Sequence, residues 1–325
     1  MMSRLGYAVL VCGVVLWSPA ARAEPPRFVL PLKCELGRTC AVQSYVDHDP
    51  TQGARDYRCG TRTYHNHNGT DFRVSSLAAQ QAGVEVLAAA DGTVERIRNS
   101  ALDAMVPMGS VFERKGLECG NGVVIAHADG WQTQYCHMAK DSVRVRAGER
   151  VKTGRPLGQI GLSGNTQFPH VHFTVRHNGK VVDPFAHEAK PDACGSGNSL
   201  WREALPYLLR ELLNAGFASG PVTMAKIESG ELTAIPERDA PALVAYARAI
   251  GLQKDDVQQL QIVGPDQQVV AENTAPPLEG PKAQSMLYAG RKRPAGGWPG
   301  GSYEARYTVT NGGAIVLERR FAMSW

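Results

Sequence analysis

His67-Asn68-Gly69-Thr70-Asp71 and, about a hundred residues later, His170-Val171-His172 supply imidazoles and a carboxylate of the kind that hold a metal ion. Such donors bind Zn²⁺, and three protein ligands leave a fourth position open, which separates a catalytic zinc site from a closed structural one. His170 and His172 stand at i and i+2, so on a strand both side chains leave by one face. Such a pair can set one ring on the metal and one beside it. Gly69 is expected to let the backbone turn so that His67 and Asp71 converge.

The elements that must position these groups read as strands. From Asp71 to about Pro184 short β-type runs alternate with turn signals: Val84–Ala88, Gly92–Ile97, Gly122–Ala126, Trp131–His137, Val143–Val145, Pro156–Ile160, His170–Arg176 and Lys180–Val182. Asp91-Gly92, Asp129-Gly130 and Asn178-Gly179 supply turns between them. The fold class is therefore mainly β, an antiparallel sheet domain over 67–190, preceded by an irregular lead-in over 24–66. Residues 99–117 interrupt it as a mobile or helical excursion. Gly195–Ser199 looks like a linker, and the leucines at 205, 208, 209, 212 and 213 recur at helical spacing, so 191–219 is expected to be a linker and one helix. Residues 220–325 are expected to form a C-terminal β-sandwich, immunoglobulin-like, with strands near Thr223–Ile227, Leu243–Ile250, Leu260–Val263, Gln268–Ala271, Tyr303–Val309 and Ala314–Glu318. No chemistry is visible in that half.

Residues 1–23 read as a secretory signal: Arg4, an apolar run from Tyr7 to Trp17, and Ala21-Arg22-Ala23 as a cleavage site. The run is too short for a membrane span, so no stable membrane anchor is expected. Export implies a periplasmic or secreted protein. Of seven cysteines, six follow the signal, and an even count in an exported chain suggests disulfides. Cys34 and Cys40 close a short loop, and Cys119 and Cys136 flank a hairpin. That pairing leaves Cys59 with Cys194 by elimination. With 35 basic and 31 acidic residues, and Arg4 and Arg22 lost with the signal, the net charge falls to about +2. Such balance gives no argument for a nucleic-acid partner.

The motifs resemble those of the lysostaphin/LytM-type zinc metallopeptidases, which are peptidoglycan endopeptidases. The family's HxGxD stands here as His67–Asp71. Its Val-rich strand and hairpin run from Val123 to Trp131, Y-x-H is Tyr135-Cys136-His137, and HxH is His170–His172. A V..G..V..G-like hairpin spans Val145–Gly154, and Asp183-Pro184 resembles the closing DP. The resemblance covers roughly residues 60–186. It implies that His67, Asp71 and His172 bind Zn²⁺ and that His137 and His170 are the catalytic pair. A neutral histidine can take a proton from water, and a second can hydrogen-bond a developing oxyanion or protonate a leaving amine. The register selects His67 over His65. His127 is read as a structural or rim residue, His48, His177 and His187 as solvated, and Tyr135 as core. Phe168 departs from the family by replacing a glycine near the cleft, which bears on pocket shape and not on the metal.

The expected function is an exported zinc metalloendopeptidase cutting peptide stems or cross-bridges of peptidoglycan. The alternative is a non-enzymatic wall-binding module or activator of other wall hydrolases, against which stands the retention of all five positions. A lead-in residue, Asp47, His48, Asp49 or Asp56, is a further candidate to fill the open metal position and hold the enzyme latent.

Overall fold

The computed structural model describes residues 24–107, 112, 115–190 and 193–325, so the expected signal over 1–23 lies outside the described residues. The first half is built from β1 (Cys40–Ser44), β2 (Thr70–Val74), a short helix α1 (Leu77–Gln81), β3 (Glu85–Leu87), β4 (Gly92–Arg98), β5 (Asn121–Ala126), β6 (Trp131–Met138), β7 (Arg150–Val151), β8 (Pro156–Gln159), β9 (His170–His177) and β10 (Lys180–Val182). One antiparallel sheet runs β1-β2-β9-β6-β5-β4-β7, with β10 also paired to β9; β3 and β8 form a separate ribbon. Alternation explains its two faces. Val171, Phe173 and Val175 of β9, Tyr135 of β6 and Val123 and Ile125 of β5 are buried in one core. His170, His172, Thr174 and Arg176 take the other face, as Gln132, Gln134 and Cys136 do on β6.

The second half contains β11 (Glu211–Ala218), a helix α2 (Met224–Ser229), β12 (Ala242–Leu252), β13 (Val257–Val263), β14 (Val269–Thr274), β15 (Lys282–Lys292), β16 (Ser302–Asn311) and β17 (Ala314–Ser324). The sheets β11-β12-β15 and β14-β13-β16-β17 enclose a second core holding Leu243, Ala245 and Leu287 from one side and Leu260, Tyr307 and Val309 from the other. Read as strands A to G, the sheets are ABE and DCFG, an immunoglobulin-like sandwich in which the fourth strand has changed sheets. Tyr303, at the start of β16, donates its hydroxyl to Pro299 O at 3.0 Å, the corner bond such sandwiches use.

Several expectations are corrected. The helix expected within 191–219 does not form. Pro206 lies inside the leucine run and cannot continue a helix, and the leucines at 212 and 213 belong to β11, paired to β12. The expected strand at Thr223–Ile227 is instead α2, whose cap is Thr223 Oγ1 accepting from Lys226 N at 3.2 Å. Gly195–Ser199 is not a free linker: Cys194 is bonded to Cys59, His187 and Asn198 exchange backbone bonds, and Leu200 and Trp201 are buried in the first core beside Phe28. The lead-in is not wholly irregular, because β1 lies in it as an edge strand on β2. Val143–Val145 forms no strand, and the described residues of 99–117 contain neither helix nor strand. The disulfides are Cys34–Cys40, Cys59–Cys194 and Cys119–Cys136. Among the described residues no helix is long and apolar enough to cross a membrane.

Candidate metal centre

Strand register builds the site. Asp71 on β2 lies directly opposite His172 on β9, and His172 lies opposite Cys136 on β6. His67 enters from the loop before β2. His67 Nε2, Asp71 Oδ1 and His172 Nδ1 form a triangle with sides of 3.1, 2.9 and 3.2 Å. Ligand bonds of about 2.0–2.1 Å in a tetrahedron require edges of about 3.3 Å, so the triangle fits within a few tenths of an ångström. His67 and Asp71 are buried, and His172 is slightly open to solvent.

The outer nitrogens explain why the inner ones face one another. His67 Nδ1 lies 2.6 Å from Tyr45 O, and His172 Nε2 lies 3.0 Å from Asn68 Oδ1. Both acceptors call for an N–H, which leaves two inner lone pairs aimed at a carboxylate oxygen. Three buried acceptors at this range repel unless a cation or shared protons lie between them. The donor set therefore fits a divalent metal on the chemistry of its own hydrogen bonds. Burial penalises charge on His67, but the Asp71 carboxylate and the bonds to Asp71 and Tyr45 outweigh it and raise its pKa. For His172 burial prevails and lowers it. Asp71, although buried, is held well below the carboxylate range by His67 and His170.

Gly69 acts through space and not through a turn. A Cβ there would fall 2.6 Å from His172 Nε2 and 2.8 Å from Phe173 O. Only glycine lets the His67 loop pass against the His172 ring.

His137 and His170 stand beside the triangle with ring centres 4.5 Å apart. Strict alternation along β6 would send His137 to the core face with Tyr135. Its φ of 61° breaks the alternation and turns the ring to the site. His137 Nδ1–H donates to Ser163 O at 2.8 Å. Burial first, then the neighbouring His170 and His172, hold its pKa well below the ordinary histidine value, so the ring is neutral. His170 Nδ1 bonds Phe168 O at 2.9 Å and Thr166 Oγ1 at 3.0 Å, and its Nε2 lies 3.4 Å from Asp71 Oδ1.

The Phe168 and His170 rings lie 4.5 Å apart, tilted by 33°, and the buried Arg73 guanidinium sits 4.4 Å over the Phe168 ring. Arg73 is held by Gln43 and by Glu228 of α2, which also pairs with the buried Arg248. Phe168 thus joins His170, through Arg73 and Glu228, to the second half of the chain.

The sequence missed these supports. Asn68, Ser163 and Thr166 carry no motif of their own, although an amide inside HxGxD is a legible cue. Tyr45 contributes a carbonyl and Arg73 a long-range pair, which no local pattern reveals. His65 is outside the triangle, bonded to Gly53 O. His127 is structural, held between Asp91 O and Thr133 Oγ1. The three histidines expected in solvent have partners: His48 pairs with Asp183, His177 stacks on Trp131, and His187 meets the edge of Trp131. The latency candidates are likewise engaged elsewhere. Asp47 accepts from the backbone of Asp49, Arg55 and Asn66, Asp49 from Thr51, and Asp56 from Arg58, Gly60 and Tyr207. None is brought to the triangle.

The antiparallel sheet thus presents a His-Asp-His triangle of a kind that can hold a metal ion, beside two further histidines. Residues 65–184 match the family model described as Peptidase family M23. A metalloprotease of Haemophilus influenzae described as uncharacterized is 36% identical over 118 residues, covering 36% of this chain and 20% of that protein. The peptidoglycan DD-endopeptidase ShyA of Vibrio cholerae is 31% identical over 117 residues, covering 36% and 22%. The chain thus spans about a fifth of the length of these relatives. Among solved structures, the catalytic domain of the antimicrobial peptidase lysostaphin from Staphylococcus simulans aligns at 22% identity, covering 43% of this chain and 85% of that one, with a TM-score of 0.28.

Proposed function

We propose that the protein is an exported zinc metalloendopeptidase that hydrolyses peptide bonds in peptidoglycan stems or cross-bridges. The carrying observation is the triangle of His67, Asp71 and His172, whose tautomers aim three lone pairs at one point, with His137 and His170 beside it. The M23 match and the relatives named for peptidoglycan endopeptidase activity support the substrate class. His67, Asp71 and His172 would hold the ion; when bound, zinc supplies a Lewis acid that polarises a carbonyl and makes hydroxide available near neutral pH.

The remaining work belongs to side chains. His137, neutral and with Nδ1–H committed to Ser163 O, offers Nε2 as a proton acceptor. His170, oriented by Phe168 O and Thr166 Oγ1, offers its Nε2 on the same side. One ring takes a proton and the other serves the oxyanion or the leaving amine.

The test is digestion of purified sacculi by the mature chain, with and without a chelator, with products identified by mass. New amines on peptide stems or bridges, lost on chelation, restored by Zn²⁺ and absent in His172→Ala, are expected. Intact sacculi despite stoichiometric zinc would refute hydrolysis and favour the binding-module reading, which predicts unchanged wall binding by a His137→Ala, His170→Ala variant.

A further inference from the structure

The triangle opens into a groove of about 310 Å³ that runs along the outer face of β9 and β6 past Thr174 and Gln134. A second hollow of about 520 Å³ continues it toward Arg96 and Arg98 on β4. Both hollows include Arg176, which stands on the same face of β9 as His172. Four residues at about 3.3 Å each place its Cα about 13 Å from that of His172.

Arg176 is half-buried, and its hydrogen-bond partner is the neutral Oε1 of Gln134 at 2.7 Å. Among the described residues no carboxylate lies within ion-pair distance of it. Arg98 donates to the carbonyls of Gly120 and Gly116; among the described residues no carboxylate lies within ion-pair distance of it, although its charge reaches Glu118. Arg96 pairs with the exposed Glu95, and Glu118 is the acid lining the groove. A partly desolvated guanidinium usually has an anionic partner, because its burial is otherwise unfavourable. Here burial, and then Arg96, push the Arg176 pKa down, the sign expected of a cation short of counter-charge. The side chain is tethered by one nitrogen and keeps its other donors for a ligand.

We infer that Arg176 is a specificity-determining residue that binds a carboxylate of the substrate peptide, some three to four residues' reach from the metal triangle. The substrate is then an anionic stem peptide and not a neutral glycine bridge. The inference rests on the reading of the site as a peptidoglycan peptidase and names its substrate class.

The test uses the full mature chain and three probes: a stem-peptide dimer linked through diaminopimelate, the same dimer with its free carboxylates amidated, and pentaglycine. Dissociation constants come from calorimetry on chelated protein, and kcat and KM from zinc-loaded protein. Wild type is expected to bind the acidic dimer about tenfold to a hundredfold better than the amidated one. Arg176→Gln should reduce that preference to within twofold, raise KM for the acidic dimer alone, and leave kcat, zinc content and Tm unchanged. Arg176→Lys should restore part of the preference. Equal binding of acidic and amidated dimers by wild type, or a preference that survives in Arg176→Gln, would overturn the inference even if both dimers are cut. Carboxylate-dependent binding without hydrolysis of any probe would instead sink the peptidase reading and leave the subsite standing. Stronger binding of pentaglycine than of the acidic dimer would overturn the assignment of substrate class.

Discussion

Replacing Gly69 by alanine adds one methyl group at the narrowest point of the site. The new Cβ would lie 2.6 Å from His172 Nε2 and 2.8 Å from Phe173 O. Ordinary contact begins near 3.4 Å, so about 0.8 Å must be found. Phe173 O belongs to β9, and Phe173 is registered against Thr70 of β2, so the ladder resists the shift. The displacement falls mainly on the His172 ring. A movement of that size breaks the 3.0 Å bond to Asn68 and distorts triangle sides of 2.9 and 3.2 Å. Losing an outer hydrogen bond to a ligand costs about 10–100-fold in metal affinity. Overpacking adds about 1–3 kcal/mol of destabilisation in the metal-free protein. Zinc affinity by competition with a chromophoric chelator, and Tm of the chelated protein, read the two effects separately. A zinc Kd within twofold of wild type, together with an unchanged metal-free Tm, would refute the close-approach argument.

Glu228→Gln leaves the buried Arg73 and Arg248 without their shared carboxylate, so a loss of about 3–5 kcal/mol is expected in denaturant unfolding; a loss below 1 kcal/mol would mean that the cluster is already solvated. Glu211 is buried on β11, and burial raises its pKa to about 7 from the usual 4.5. Between those values the unfolded chain has lost this proton while the folded chain keeps it, so stability falls as pH rises from about 4.5 to 7. Glu211→Gln should therefore gain roughly 1–3 kcal/mol over wild type at pH 8 and nothing at pH 4; paired melts showing equal gains at both pH values would contradict the assignment. Cys59–Cys194 spans 135 residues and Cys34–Cys40 spans 6. Loop-entropy arithmetic makes removal of the longer crosslink by paired alanine substitutions the costlier by about 2–3 kcal/mol; equal losses would point to residual structure in the unfolded chain.

The local alphabet of this chain determined much of its β architecture. Period-2 alternation along Val171, Phe173 and Val175 separates a core face from the face of His170, His172 and Arg176 before any coordinates are known, because side chains on a strand have no third direction. The turns at Asp129-Gly130 and Asn178-Gly179 follow from residues that accept positive φ, and both adopt it. The same logic failed where a segment's state depended on its neighbours. The leucines around Pro206 have helical spacing, yet β12 offers an edge on which β11 pairs. Thr223–Ile227 has β-branched residues at both ends, yet Thr223 caps a helix. At the site, motif spacing named five residues, and only the fold brings them together. The opposition of Asp71 and His172 is a matter of register between strands a hundred residues apart. The aim of His137 depends on one left-handed residue, and the tautomers of His67 and His172 depend on Tyr45 O and Asn68. The Arg73–Phe168–His170 contacts and the Arg176–Gln134 pair arise from contacts that no local pattern encodes, because they are made between elements that meet only when the sheet closes.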